Sequence, residues 1–207
     1  LPDVDVQLLY VDAHYNTNGF ASHNPRRAVI MITYLQGITQ QRSSWVLLLV
    51  SALFLELSAM VFQHALGLSP CKMCIYERIA IMGLIAAALV ALINPKYWVF
   101  RWFGILIWGY SAFRGLQLAL LHVNYLFNSS PFSTCSVLPD FPGRLPLDTW
   151  APWFFAAYVD CAEHQWSFLN REIPEWLVLI FGIHLVTWLL ILIANSSQKG
   201  RFGTCVE

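Results

Sequence analysis

The sequence predicts an all-α integral membrane protein: a four-helix transmembrane bundle with one long external loop carrying a short interfacial helix. Three observations lead there. Of 207 residues, 57% are hydrophobic and only 12% charged, far too apolar for an ordinary soluble domain. Four apolar runs approach the ~20 residues that a bilayer crossing needs. Aromatic residues make up 15% of the chain, with nine Trp, as expected where rings anchor at membrane interfaces. The formal net charge is zero, so no basic excess points to nucleic acid.

Residues 1–30 mix Asp, Asn, His and Tyr without periodicity, and the first Met is Met31. They read as an upstream translated segment, a cloning artefact or a poorly ordered arm, and 31–207 as the four-span membrane domain. The apolar run Ala28–Leu35 is too short to cross a bilayer.

The first span is expected at about 45–62, with one ionisable residue, Glu56, facing the bundle interior as a structural partner or proton relay. A short turn, His64–Pro70, leads to a second span at about 75–93, whose Gly83 permits close helix packing. Asn94-Pro95-Lys96 breaks it. A third span follows at about 98–121, with Arg101 at its start and Arg114 inside it, where Arg114 would pair with Glu56 or a lipid headgroup. Five prolines make continuous helix unfavourable across the connection 122–173. Its aromatic stretch Thr149–Val159 is too short to cross the membrane and suited to lie on it. The fourth span is expected at about 176–194, followed by a polar tail.

With four spans both termini share one side. Arg26, Arg27, Arg42, Lys96, Arg101, Lys199 and Arg201 fall on that side, and Lys72, Arg78, Arg144 and Arg171 on the other. The bias places the termini in the cytoplasm. Cys71, Cys74, Cys135 and Cys161 then lie outside and Cys205 inside.

The chemistry concentrates in Pro70-Cys71-Lys72-Met73-Cys74-Ile75-Tyr76-Glu77-Arg78. Two cysteines at this spacing can close a small disulfide ring. The thiolate is the reactive species, favoured near a helix N-terminus or a cation. Pro70 suits a helix start, Lys72 is a nearby cation, and Arg78 follows Cys74 by one helical turn. The spacing alone also admits half of a metal site, or two unrelated thiols. Sorting of the cysteines favours redox: four thiols share the oxidising face, where disulfides persist. Two pairs follow, Cys71–Cys74 by proximity and Cys135–Cys161 within the loop, and they suggest electrons moving by thiol–disulfide exchange. A four-thiolate zinc site competes, weakened because Cys135 and Cys161 are single. Cys74 is followed by Ile75, so this is no haem-attachment motif, and no Gly-rich nucleotide loop is present. A dithiol abutting lipid calls for a lipid-soluble two-electron acceptor.

The chain resembles the bacterial disulfide bond formation protein B (DsbB) family. The resemblance rests on Pro70–Arg78, Tyr110-Ser111-Ala112-Phe113-Arg114-Gly115, Pro131-Phe132-Ser133-Thr134-Cys135, Leu145-Pro146-Leu147-Asp148 and Asp160-Cys161-Ala162-Glu163, in that order. It covers about Met31 to the end. It implies an inner-membrane, multi-pass oxidoreductase with periplasmic redox cysteines, a DsbA-like thiol oxidase as partner, and ubiquinone or menaquinone as cofactor. By the same resemblance the partner would attack the Cys135–Cys161 disulfide, with Cys135 forming the mixed disulfide. Cys161 would pass electrons on through Cys71. Cys74 would face the quinone and form a thiolate charge-transfer complex with it, stabilised by Arg78, with Glu77 and His122 near the ring. Without the resemblance, His122 reads as a satisfied interfacial histidine. Cys205 takes no role from it. Two other readings stand beside it: a metal- or disulfide-stabilised structural membrane protein, and a vitamin K epoxide reductase-like quinone reductase. The early position of Cys-x-x-Cys argues against the latter.

Overall fold

The computed structural model describes residues 37–128, 147–162 and 166–196. The expectations for residues 1–30, Cys135, Arg144, Glu163 and Cys205 lie outside these. Four long helices form the frame: α1 Arg42–His64, α2 Lys72–Ile93, α3 Trp98–Phe127 and, after the connection, α6 Ile173–Ser196. All four are long and apolar enough to cross a membrane, so the chain is a multi-pass membrane protein of the expected class. Among the described residues between α3 and α6 are two one-turn helices, α4 Leu147–Trp150 and α5 Pro152–Phe155, and a hairpin of β1 Ser167–Phe168 and β2 Arg171–Glu172. The expected interfacial stretch is thus two short turns, broken at Ala151 ahead of Pro152. Trp150, Trp153 and Tyr158 are exposed there, as rings resting on a membrane surface would be.

The bundle is built around α2 and α3. Half of the spanning window of α2 is buried and 44% of that of α3, against 22% for α1 and 17% for α6, so the outer helices give most of their surface to lipid. Small residues bring the central pair together: Ala80, Ala87, Ala88 and Ala91 on α2 are buried, and Gly104 of α3 packs against Ala87 and Ala91. Without a hydrophobic drive between helices in lipid, such close backbone approach supplies the dispersion contacts that hold them. Gly83 packs against Ser111, as the close-packing expectation requires. On the other side of α3, Gly109 receives the Trp188 ring and Gly115 that of Phe181, so a methyl group at either would overlap an α6 aromatic ring. Trp188 is fixed by donating its indole N–H to the Ile105 carbonyl at 2.7 Å.

The helix ends have local causes. α2 starts at Lys72 because Cys71, in extended backbone, is its N-cap: its sulfur accepts the Cys74 amide at 3.3 Å. α3 runs on to Phe127, past the expected end near Leu121, so His122 is a helical residue and not part of the loop. The run from Gln117 to Phe127 has no proline or glycine to stop it. The hairpin turn uses Leu169 and Asn170, both at positive φ, as a two-residue turn matching strand twist requires. Beyond it Glu175 accepts the Glu172 amide and pairs with Arg171, closing the start of α6.

The expected Arg114–Glu56 pair is not formed. Arg114 is exposed on α3 and bonds Gln117, whereas Glu56 faces Arg78 of α2 at 3.1 Å. Periodicity locates a charge along a span but not the direction it faces, and the α1–α2 contact decides the partner.

Candidate redox site

The first turn of α2 holds Cys71 at its cap and Cys74 at its third residue. Their sulfurs are 3.1 Å apart and both thiols are free. Glu77 and Arg78 follow Cys74 by three and four residues, which puts all three on neighbouring positions of one helix surface. Glu77, Arg78 and, from α3, His122 are all buried.

Two polar pairs bracket the dithiol. On one side His122 lies between Glu77 and Cys71: Nδ1 is 3.0 Å from Glu77 Oε1, and Nε2 is 3.5 Å from Cys71 Sγ. A carboxylate at Nδ1 selects the tautomer with the proton there and leaves the Nε2 lone pair facing the thiol. His122 can therefore accept a proton from the Cys71 thiol. On the other side Arg78 meets Glu56 through Nε, and its Nη1 donates to Gln63 Oε1 at 2.9 Å and to the Phe154 carbonyl at 2.8 Å. The guanidinium also lies over the Phe154 ring, 4.7 Å from its centroid. Gln63 completes this clasp by donating to the Trp153 carbonyl at 3.0 Å. Arg78 therefore ties α1, α2 and the short helix α5 together.

The loop is stitched to the dithiol by its backbone. Tyr158 N donates to the Pro70 carbonyl at 2.9 Å, and Cys71 pairs with Val159 as a parallel bridge. Two residues on, Cys161 joins Cys71 and Met73 in one small buried cluster. Cys161 is in a disulfide, and since Cys71 and Cys74 are free, its partner lies outside the described residues. A cleft of about 50 Å³ opens between the two sulfur sites, lined among others by Ser69, Cys71, Cys74, His122, Asp160 and Cys161. Thiol–disulfide exchange needs sulfur atoms able to meet, and this arrangement puts the loop disulfide beside the helix dithiol.

Of the residues predicted for the site, the structure brings together Cys71, Cys74, Glu77, Arg78, His122 and Cys161. Lys72 is buried at the start of α2, with its ammonium 5.9 Å from the Tyr76 ring centroid. Glu56, Gln63 and Phe154 were not foreseen there. Glu56 carried a signal, being the single charge inside its span. Gln63 is one polar residue near a helix end, and Phe154 acts through its ring and through a backbone carbonyl, the second of which no side-chain pattern reveals.

A membrane quinone, the cofactor expected from the resemblance, fits the donor set on one edge. Cys74 is only partly buried, and the hydrogen bonds Arg78 donates to described residues leave from Nη1, so Nη2 remains for a carbonyl oxygen.

The model of the family described as disulfide bond formation protein DsbB matches residues 41–191. The disulfide bond formation protein B of Aeromonas salmonicida is 52% identical over 171 residues, 83% of this chain and 98% of that protein. That of Photobacterium profundum is 51% identical over 80% of this chain and 94% of its own. That of Vibrio cholerae is 46% identical over 83% and 99%.

Proposed function

The chain belongs to the DsbB family of disulfide bond formation proteins, and from that premise we propose that this membrane oxidoreductase reoxidises a periplasmic DsbA-type dithiol protein and delivers the electrons to a membrane quinone. The observation that carries the reading is the Cys161 disulfide packed against the free Cys71–Cys74 pair at the head of the bundle.

In the proposed cycle Cys71 and Cys74 start as a disulfide. A reduced partner thiolate attacks Cys135 of the Cys135–Cys161 bridge, forming a mixed disulfide and freeing the Cys161 thiol. The second partner thiol resolves the mixed disulfide, so the partner leaves oxidised and Cys135 is reduced. Cys161 attacks Cys71 and displaces Cys74 as a thiolate. Attack of Cys135 on Cys161 then restores the loop bridge and releases Cys71, with His122 positioned to hold the proton that Cys71 exchanges. Each cycle moves two electrons and two protons from partner to helix dithiol. When bound, the quinone supplies a lipid-soluble acceptor for that pair of electrons and protons. Arg78 orients and neutralises at Cys74, and Glu77 fixes the His122 ring. The redox cysteines face the periplasm of a bacterial inner membrane in this reading, supported by the charge bias of the connecting segments.

Mixing purified protein anaerobically with a reduced DsbA-type partner and a short-chain ubiquinone or menaquinone tests it. One quinol should appear per partner disulfide formed. Partner oxidation without quinone loss, or no partner oxidation, would overturn the reading. Cys135→Ser should abolish oxidation of the protein partner yet leave part of the quinone reduction driven by a small dithiol reagent.

A further inference from the structure

The head of the bundle also offers a chemistry that moves no electrons. The Cys71 and Cys74 sulfurs and a ring nitrogen of His122 all lie within 4.8 Å of one another. We propose that these side chains, with the cysteines reduced, form a Cys₂His site for a soft divalent cation such as Zn²⁺, and that the ion and the Cys71–Cys74 disulfide are mutually exclusive.

Thiolate and imidazole are the ligands zinc prefers, and three protein ligands with an open fourth position make a complete set. With Zn–S near 2.3 Å and Zn–N near 2.0 Å, a tetrahedral ion holds its ligand atoms about 3.5–3.8 Å apart. Cys71 Sγ and His122 Nε2 already stand at 3.5 Å. The sulfurs, at 3.1 Å, need to open by about 0.6 Å to reach that spacing, and Cys74 Sγ, which lies within 4.8 Å of the ring nitrogen, completes the set as its side chain turns about χ1. His122 is set as a ligand by its neighbour: Glu77 holds Nδ1 at 3.0 Å and leaves Nε2 to donate its lone pair, the carboxylate–histidine arrangement common behind zinc. The cleft beside Cys71 and Cys74 supplies space for water at the fourth position. Two thiolates cancel the charge of the ion, which lowers the cost of placing it beside an apolar bundle.

Binding displaces two thiol protons and leaves every oxidation state unchanged. A disulfide has no thiolate to offer, so oxidation expels the ion, and the ion holds the pair reduced. This differs from a four-thiolate site, because Cys161 is already in a disulfide. Capture requires only the reduced pair and His122. That it stalls turnover rests on the proposed function, so the two ideas fail separately.

The test uses full-length protein in nanodiscs carrying Cys135→Ser, Cys161→Ser and Cys205→Ser, reduced with a phosphine and desalted. Zn²⁺ is titrated against a chromophoric chelator, and Co²⁺ is read by its thiolate charge-transfer and tetrahedral d–d bands. One ion per chain is expected, with loss on adding Cys71→Ser and Cys74→Ser and no binding by the oxidised protein. Glu77→Gln should weaken binding roughly tenfold, and His122→Ala by more. An unchanged thermal unfolding midpoint for metal-free His122→Ala separates lost ligation from lost fold. Affinity unchanged by His122→Ala, equal binding by the oxidised form, or binding no tighter than without the two cysteines would each overturn the proposal.

Discussion

Replacing Glu56 by Gln isolates the charge that α1 contributes to the redox end of the bundle. The pair is a nearly pure Coulomb contact: Arg78 Nε lies 3.1 Å from Glu56 Oε1, yet neither carboxylate oxygen makes a directional hydrogen bond among the described residues. At that separation and an effective dielectric of about 20, the gross attraction is about 5 kcal/mol. Much of it offsets the desolvation of both groups, which Gln relieves in part. Arg78 also keeps its bonds to Gln63 and Phe154, each charge-assisted and contributing about 1.5–3 kcal/mol. The net loss expected is therefore about 1–3 kcal/mol, below the full cost of orphaning a buried charge. If about 1 kcal/mol of that appears as looser placement of Arg78, the apparent KM for quinone rises roughly fivefold, with little change in exchange between partner and loop disulfide. The assay is a double-mutant cycle of Glu56→Gln and Arg78→Gln, read by thermal unfolding in detergent and by steady-state quinone reduction. A coupling below about 0.5 kcal/mol in both readouts would refute the account, because contacting residues that share a network couple more strongly.

Three further outcomes follow. Arg78→His should raise the apparent KM for quinone, since a shorter imidazole cannot reach Glu56, Gln63 and the Phe154 carbonyl together; an unchanged constant would remove Arg78 from the site. Gln63→Ala should raise the same constant less, while cutting stability by about 1 kcal/mol through its lost bonds to Arg78 and Trp153, measured by chemical denaturation. Gly115→Ala should destabilise by about 1–3 kcal/mol because its methyl meets the buried Phe181 ring, whereas Gly182→Ala, with open space around it, should not; tryptophan fluorescence during heating distinguishes them.

What the sequence revealed and what it hid divide along physical lines. Span existence was legible because a bilayer imposes length and apolarity on each segment separately, whatever its neighbours do. The dithiol and Arg78 were legible because their relation is local: residues within one turn of a helix keep their spacing wherever the helix packs. His122 was not, because its role depends on α3 continuing as helix to Phe127 and on the α2–α3 contact turning its ring toward Cys71. Only the family resemblance set it near the site. The Glu56 partner was misread for the same reason: Arg78 and Arg114 both lie at reachable depth, and helix rotation, set by alanine and glycine contacts, chose between them. The Phe154 carbonyl had no signature at all, being a backbone group that any residue there would present.

The two thiols of α2 emerge from this packing with different surroundings, and the difference is ordered. Cys71 is buried, faces His122 Nε2, and shares its cluster with Cys161. Cys74 is partly exposed, one helical turn from Arg78. A sulfur that must exchange with another sulfur needs a proton acceptor and a dry contact with its target, which Cys71 has. A sulfur that must give electrons to an acceptor arriving from lipid needs access and a nearby cation, which Cys74 has. Burying Glu56, Glu77, Arg78 and His122 in one place would ordinarily be costly. Here they form two opposed pairs, Glu56 with Arg78 and Glu77 with His122, so each buried carboxylate has a hydrogen-bonding or cationic partner beside it. On the proposed function, the contact of Cys161 with Cys71 and the partial exposure of Cys74 assign the two sulfurs different partners, which the Cys-x-x-Cys spacing alone does not do.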